Sequence, residues 1–244
     1  MTTDGKTLRA GIIGAMDCEV SLLLGMMTGK RRRSVAGFDF YTGRISGTST
    51  VVAKAGVGKV NAAACAAAMI SAFSPSFIIN TGCMGGIADG MKVTDVVSAT
   101  DAVEDDLDYG ALGTPRGTVF LPGGGETSAF ACDPGLSDAL AAAAEKTGCR
   151  VMRGRIASGD RFVSAAGEKK ELSERFGACG CEMEGAAIAH VCYCAGVPFG
   201  ILRTVSDGAD SDAGMSFDEF SVKASRISAE AVAGLMSRFG ETKD

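Results

Sequence analysis

Short apolar runs alternate along this chain with longer stretches of helical periodicity. Leu8 to Gly14 (LRAGIIG) reads as a buried strand and Met16 to Met27 as the helix after it. Phe38 to Ile45 and Ser49 to Ala55 predict a hairpin pair joined by Ser46-Gly47-Thr48, and Lys59 to Phe73 a long Ala-rich helix. Ser76 to Thr81 (SFIINT) has the unbroken apolar character of a strand inside a parallel sheet, and Asp95 to Ala102 predicts another strand. From Val103 to Asp133 the rhythm breaks, with Pro115, Pro122 and Gly123-Gly124-Gly125; so long a loop in a compact domain is usually a functional lid or a partner-contacting segment. Asp133 and Pro134 supply an N-cap and first helical residue for a helix to Thr147. Arg150 to Ala157 then reads as a strand, Glu168 to Phe176 as a helix, and Ala178 to Glu182 and Val197 to Ser206 as strands, with Phe217 to Phe239 the closing helix. The alternation predicts an α/β fold: one domain over residues 1–244, a mixed, mostly parallel central sheet with helices on both faces, and neither linker nor repeat.

Composition narrows the classes. A chain of 244 residues, 46% hydrophobic and 22% charged, suits one large domain and excludes a disordered chain. The net charge of −5 argues against a nucleic-acid partner. The sole basic run, Lys30-Arg31-Arg32-Arg33, follows a helical pattern and reads as a helix C-terminus plus a solvated turn. Met1 to Lys6 is polar, with no apolar signal segment, and Ala62 to Ile70 is too short to span a membrane. The expectation is a soluble, cytoplasmic protein with no membrane partner. Nine cysteines accompany a single histidine; Cys179/Cys181 and Cys192/Cys194 lack C-x-x-C spacing, so no metal is expected and most cysteines read as reduced, buried small hydrophobes.

Candidate chemistry clusters at Cys181-Glu182-Met183-Glu184, just before the apolar stretch Gly185 to Val191. Strand parity points Glu182 and Glu184 the same way, and a helix N-terminus favours a carboxylate. Taken alone, a helix start with Glu in its first turn is the better explanation of the pair. In α/β sheets, however, ligands bind beyond the carboxyl ends of the strands. Here those positions are Gly14 to Glu19, Gly56 to Lys59, Thr81 to Gly86, Ser158 to Val163, Glu182 to Glu184 and Ser206-Asp207, six polar or glycine-rich loops on one rim. Each has a structural explanation: a tight turn at Gly56-Val57-Gly58, capping by Ser158 or Asp160, a core position for Phe162, a turn at Ser206-Asp207. Thr81 to Gly86 lacks the Gly-Lys-Ser/Thr ending of a P-loop, but its glycines allow close backbone approach to a ligand. His190, among apolar neighbours, reads as a satisfied core residue rather than a catalyst.

The motifs GIIGAMDCEV, AGVGKVNAA, INTGCMGGI, SGDRF, CEMEGAAIAHVC, RTVSDGAD and SFDEF, in this order from residue 11 to about 220, resemble the 5′-methylthioadenosine/S-adenosylhomocysteine nucleosidases of the nucleoside phosphorylase superfamily. The resemblance implies a nucleoside phosphorylase-like fold and hydrolysis of the N-glycosidic bond of both nucleosides, with 5′-deoxyadenosine a further substrate and no metal or cofactor. It implies Asp207 as the acid at the purine, steadied by Ser206, and Glu19 as the group that deprotonates the attacking water. Glu184, with the Met183 backbone, would hold the ribose hydroxyls, with Glu182 supporting Glu184 and the strand end. Phe162 would stack on adenine, the Val163 backbone would bond its edge, and Arg203 would stand near the water. Cys83 and Gly85 would line the substrate, while Met16, Val57 and Phe217, the last reaching across a homodimer, would wall the 5′-thio group.

Two departures from the family pattern bear on this. Cys83-Met84 replaces the usual Ser-Ala, which trades a hydroxyl for a weaker hydrogen-bonding thiol and puts a bulky side chain where the ribose pocket would be reshaped. Val103 to Asp108 replaces a histidine-aspartate pair near the dimer contact and the 5′ pocket. The competing readings are a phosphate-dependent phosphorylase, a related nucleosidase such as a futalosine hydrolase, and a non-catalytic nucleoside-binding protein. Ala15 to Glu19, with two carboxylates and no cation, argues against phosphate there.

Overall fold

The strands take their places by burial. The computed structural model describes residues 8–207 and 217–240, the side chains of residues 207 and 217–219 excepted. The first strand β1 (Arg9–Gly14) leads into α1 (Asp17–Met26), then β2 (Thr28–Val35), β3 (Phe38–Ile45), β4 (Thr48–Lys54) and α2 (Lys59–Phe73). Next come β5 (Phe77–Gly86), β6 (Val96–Glu104), the short strands β7 (Val119–Phe120), β8 (Glu126–Thr127) and β9 (Phe130–Ala131), and α3 (Pro134–Glu145). The chain continues through β10 (Val151–Ser158), α4 (Ala166–Phe176), β11 (Ala178–Glu182), α5 (Gly185–Ala195), β12 (Phe199–Asp207) and α6 (Phe217–Gly240).

The sheet runs in the order β11-β10-β6-β12-β5-β1-β4-β3-β2, with β9 paired to β6. Pairings β1–β4, β1–β5, β5–β12, β6–β10 and β10–β11 are parallel, while β2–β3–β4 and β6–β12 are antiparallel. The mixed, mostly parallel sheet is therefore as expected. Beyond the linear order, β11 also pairs antiparallel with the end of β5, Gly180 opposite Gly86 and Cys181 opposite Gly85. This closes β5-β12-β6-β10-β11 into a ring and draws the ends of β5 and β11 together.

Helices cover both faces. On one, α2 buries Ala62, Cys65, Ala66 and Met69, the spacing of a single helical stripe, with Ala186 to Ala189 and Cys192 of α5 in the same cluster. On the other, Val20 and Leu23 of α1, Leu136 and Leu140 of α3, and Val232 and Leu235 of α6 share a second cluster. The α3 cap forms as expected, with Asp133 accepting from the Leu136 N–H at 2.8 Å.

Three expectations change. The basic quartet is no helix end: Lys30 to Arg33 lie in β2, an exposed strand at the edge of the sheet. Consecutive charges suit such a position, because on an edge strand they discourage pairing with another chain. Only Lys30 keeps a trace of the expected role, its Nζ donating to the Leu24 carbonyl of α1 at 3.1 Å. The glycine loop after SFIINT is a continuation of β5 to Gly86, held by β12 and β11. The long segment after β6 carries the β7–β8 hairpin and β9, with Asp105 buried beneath it.

None of the nine cysteines forms a disulfide; Cys65, Cys83, Cys132, Cys181 and Cys192 are buried, whereas Cys194 is exposed. Burial pushes the thiols of Cys65, Cys132 and Cys192 up to about 12, which keeps them protonated and inert.

Candidate active site

The carboxyl ends of β1, β4, β5, β10, β11 and β12 open onto one cavity of about 170 Å³. Met16, Glu19, Val57, Cys83, Gly85, Phe162, Val163, Glu182, Met183, Glu184, Arg203 and Ser206 all line it. The six loops picked out by the strand-end rule thus converge, as their places after parallel strands require. Asp207 ends β12 with its backbone opposite Gly85, but its side chain, like that of Phe217, lies outside the described residues. The β5–β12 register shifts between Val205 and Asp207, and such a bulge re-aims the side chains at a strand end.

Glu19 is built into the start of α1. It is 2% exposed, and its Oε2 accepts from the backbone N–H of Ala15 at 2.6 Å and of Met16 at 3.0 Å. Its Oε1 accepts from the Cys83 N–H at 3.0 Å and the Cys83 thiol at 3.5 Å. A Cβ on Gly82 would lie 2.2 Å from Oε1, so the glycine is what lets β5 approach this carboxylate. Burial, with the Glu19 charge beside it, pushes the Cys83 thiol up to about 12; it acts as a donor to Glu19, not as a nucleophile.

Glu182 and Glu184 do face the same way, and the group between them is Arg203, 1% exposed. Its Nη2 bonds Glu182 Oε2, Glu184 Oε2 at 3.2 Å and Asn80 Oδ1 at 2.7 Å; Nη1 reaches the Cys83 carbonyl at 3.1 Å and stands 3.8 Å from Glu19 Oε1. Burial opposes the Arg203 charge, but the three carboxylates outweigh it and hold the guanidinium above its ordinary value. Glu182 is saturated: it also takes the N–H groups of Glu184 and Gly185, at 3.0 and 2.9 Å, and the Ser158 hydroxyl. Among the described residues Glu184 accepts from Arg203 and from the Gly58 N–H at 2.9 Å. Burial, partly offset by Arg203 and reinforced by the Glu182 charge, pushes Glu184 up to about 7. Three carboxylates around one cation make a site that favours positive charge in a bound molecule.

The other rim residues fall into place around this core. Phe162 is 62% exposed at the cavity mouth and Val57 50%, so neither is a core side chain. The capping explanation for the Ser158–Asp160 loop holds across the fold: Ser158 accepts from the Ala186 N–H of α5 at 2.8 Å, and Asp160 from the Lys59 N–H of α2 at 2.7 Å. Ser206 is buried, its hydroxyl donating to the Met84 carbonyl at 3.3 Å. Met84 is 2% exposed and belongs to the helix-covered cluster, its Sδ only 2.4 Å from where a Gly180 Cβ would stand. Part of its bulk is taken up over Gly180, and Met84 also lines the cavity beside Cys83 and Gly85. His190 is satisfied but not core: half-buried beside a second groove, it pairs through Nδ1 with Glu104 Oε1 at 2.9 Å and stacks on Phe130.

Sequence reasoning missed Asn80 as part of the site, and it gave no role there to Ser158 or Arg161, although both stand in a loop it placed on the rim. Asn80 was legible as the one amide in the apolar run SFIINT, since a buried amide needs partners. Arg161 lines the cavity but is spent on buried Asp105, at 2.7 Å. Among the described residues no group of three or more potential metal ligands occurs.

The comparisons agree with this geometry. A sequence model of the phosphorylase superfamily matches residues 9–240. The 5′-methylthioadenosine/S-adenosylhomocysteine nucleosidase of Actinobacillus succinogenes is 39% identical over 231 residues, 94% of this chain and 99% of that protein. The solved structure of the Neisseria meningitidis nucleosidase of that name, in complex with methylthio-immucillin-A, is 40% identical with a TM-score of 0.87, covering 94% of this chain and 99% of that one. A futalosine hydrolase of Helicobacter pylori is also similar, at 31% identity and a TM-score of 0.86, over 95% of this chain and 98% of that one.

Proposed function

This chain belongs to the phosphorylase superfamily, among its 5′-methylthioadenosine/S-adenosylhomocysteine nucleosidases, and from that premise we propose how its pocket cleaves the N-glycosidic bond. The enzyme hydrolyses 5′-methylthioadenosine and S-adenosylhomocysteine to adenine and the 5′-substituted ribose. Water adds its oxygen to C1′ as the C1′–N9 bond breaks and its electron pair leaves with the purine. One proton passes to the purine and one leaves the water, so the reaction needs an acid and a base on opposite faces of the sugar. Asp207 is the acid at the purine, beside Ser206. Glu19 is the base; its buried carboxylate, held by three backbone N–H groups, supports that role. Glu184 takes the ribose hydroxyls with the Met183 backbone, and Glu182 supports it. Phe162 stacks on adenine and the Val163 backbone meets its edge, while Cys83, Gly85 and Arg203 line the sugar and water side. Met16, Val57 and Phe217 wall the 5′ substituent.

The observation that carries hydrolysis over phosphorolysis is the charge at the attacking side. The cations in the described lining, Arg161 and Arg203, are each paired with carboxylates, and Glu19 and Glu184 would repel a phosphate. Purified protein incubated with methylthioadenosine in phosphate-free buffer should release adenine at full rate; a requirement for phosphate would overturn the assignment. Asp207→Asn and Glu19→Gln should each lower kcat by about 10²–10⁴-fold with the fold retained.

The reading extends to 5′-deoxyadenosine as a substrate, and a panel varying only the 5′ group, with a futalosine-type nucleoside in it, tests that extent. It also includes a homodimer that brings Phe217 to the neighbouring site, supported by the groove between α2 and α5, whose apolar lining includes the exposed Val60. Light scattering tests it. A cytoplasmic location is supported by nine cysteines without a disulfide among them. No described helix is long and apolar enough to cross a membrane.

A further inference from the structure

Behind the catalytic cavity, the first residue of α2 is held from three directions. The Lys59 N–H donates to Asp160 Oδ1 at 2.7 Å, while its Nζ donates to Glu104 Oε2 at 3.1 Å and to Asp106 Oδ1. Asp106 turns its other oxygen to the Asp160 N–H at 2.7 Å, so the two aspartates and Lys59 form a closed clamp. Glu104 is braced in turn by His190 of α5. Burial opposes the Lys59 charge, but Asp106 and Glu104 outweigh it and raise its pKa, so the clamp is charged at neutral pH.

The residue before this lysine is Gly58, which sits at φ +97° and whose N–H donates to Glu184 Oε1 at 2.9 Å. A Cβ at Gly58 would lie 3.0 Å from Asp160 Oδ1, so the turn is seated against the clamp. Among the described residues Glu184 has one other anchor, Arg203, which it shares with Glu182 and Glu19. The placement of Glu184 Oε1 therefore depends on where Gly58 is held, and that depends on Lys59.

We propose that Lys59 is a positioning residue for the glycosidic reaction: bridging Glu104 and Asp106, it fixes the Val57-Gly58 turn, and through the Gly58 N–H it sets Glu184 for the ribose hydroxyls. The inference rests on the ribose role given to Glu184. Lys59 touches no substrate; its effect passes through one backbone hydrogen bond. Val57, on the same turn, keeps its place along the 5′ wall by the same means.

The experiment compares methylthioadenosine with its 3′-deoxy analogue in the wild type, in Lys59→Met, which keeps the stem and removes the charge, and in Asp106→Asn. A hydroxyl bonded to a carboxylate is worth roughly ten- to a hundredfold in kcat/KM, so the wild type should lose about that much on the analogue. In both variants KM for methylthioadenosine should rise by roughly tenfold with a smaller change in kcat, because binding to ground and transition states is lost together. The penalty for removing the 3′-hydroxyl should shrink toward onefold. A general loss of structure would lower activity on both substrates and leave that ratio alone. Should Lys59→Met not fold, Asp106→Asn carries the same comparison. A large wild-type penalty retained in full by the variants overturns the role of Lys59 and leaves that of Glu184 standing. A wild type indifferent to the 3′-hydroxyl overturns the Glu184 assignment and this inference with it.

Discussion

Replacing Arg203 by methionine asks what holds the three carboxylates together. Met fills much of the same volume but removes the guanidinium that bonds Glu182, Glu184, Asn80 and the Cys83 carbonyl and stands 3.8 Å from Glu19. Taking one partner from a buried ion pair usually costs about 3–5 kcal/mol, because the other charge is left uncompensated. At about 2–4 °C per kcal/mol for a chain of this size, the Tm should fall by about 10 °C at pH 7. The pH dependence is the sharper test. Glu184 already stands at about 7, above its ordinary 4.5, with Arg203 the largest influence pulling it down. Without Arg203 it rises further, so the native state keeps a proton that the unfolded chain gives up. Stability then falls as pH climbs above the unfolded value, and the deficit against wild type should be smaller near pH 5 than near pH 8. Urea unfolding at both values measures it. A deficit under about 1 kcal/mol, or one that does not change with pH, would refute the account of Arg203 as the common partner of these acids.

Glu184→Gln isolates the same acid in the otherwise intact site. Between pH 4.5 and about 7 wild-type stability should fall by about 3 kcal/mol, at about 1.4 kcal/mol per pH unit, and the variant's curve should lack that fall; parallel curves would remove Glu184 as its source. Gly180→Ala should cost about 1–3 kcal/mol by overpacking, since the new Cβ would stand 2.4 Å from Met84 Sδ. In Met84→Ala the added methyl enters the vacated space, so a double-mutant cycle should show favourable coupling, and strict additivity would mean the two side chains do not compete for it.

Much of the site was legible because strand-end loops are local features. Periodicity marked the strands, Gly and polar residues marked their ends, and six such ends supplied fourteen of the sixteen residues that line the cavity. Asp133-Pro134 announced its helix because capping acts within one turn. What stayed hidden depends on partners far along the chain. Lys30 to Arg33 come directly after a helix yet form an edge strand, because whether a strand has a second neighbour is a property of the sheet. Asp160 caps a helix about a hundred residues away, and Ser158 caps another, so their turn-forming chemistry was visible but its recipient was not.

By itself, then, the amino-acid order determined the α/β alternation, the apolar stripe of α2 and the set of loops that could meet a ligand, since each follows from spacing along one element. The tertiary structure alone decided that β11 closes on β5 and so brings Glu182 and Glu184 to the Cys83–Gly85 strand end. It alone decided that Arg203 is shared by three acids, and that Gly180 leaves room for Met84. Pairing across a sheet, the sharing of a buried charge and the filling of a gap are set by distances through space, and those exist only once the chain has folded.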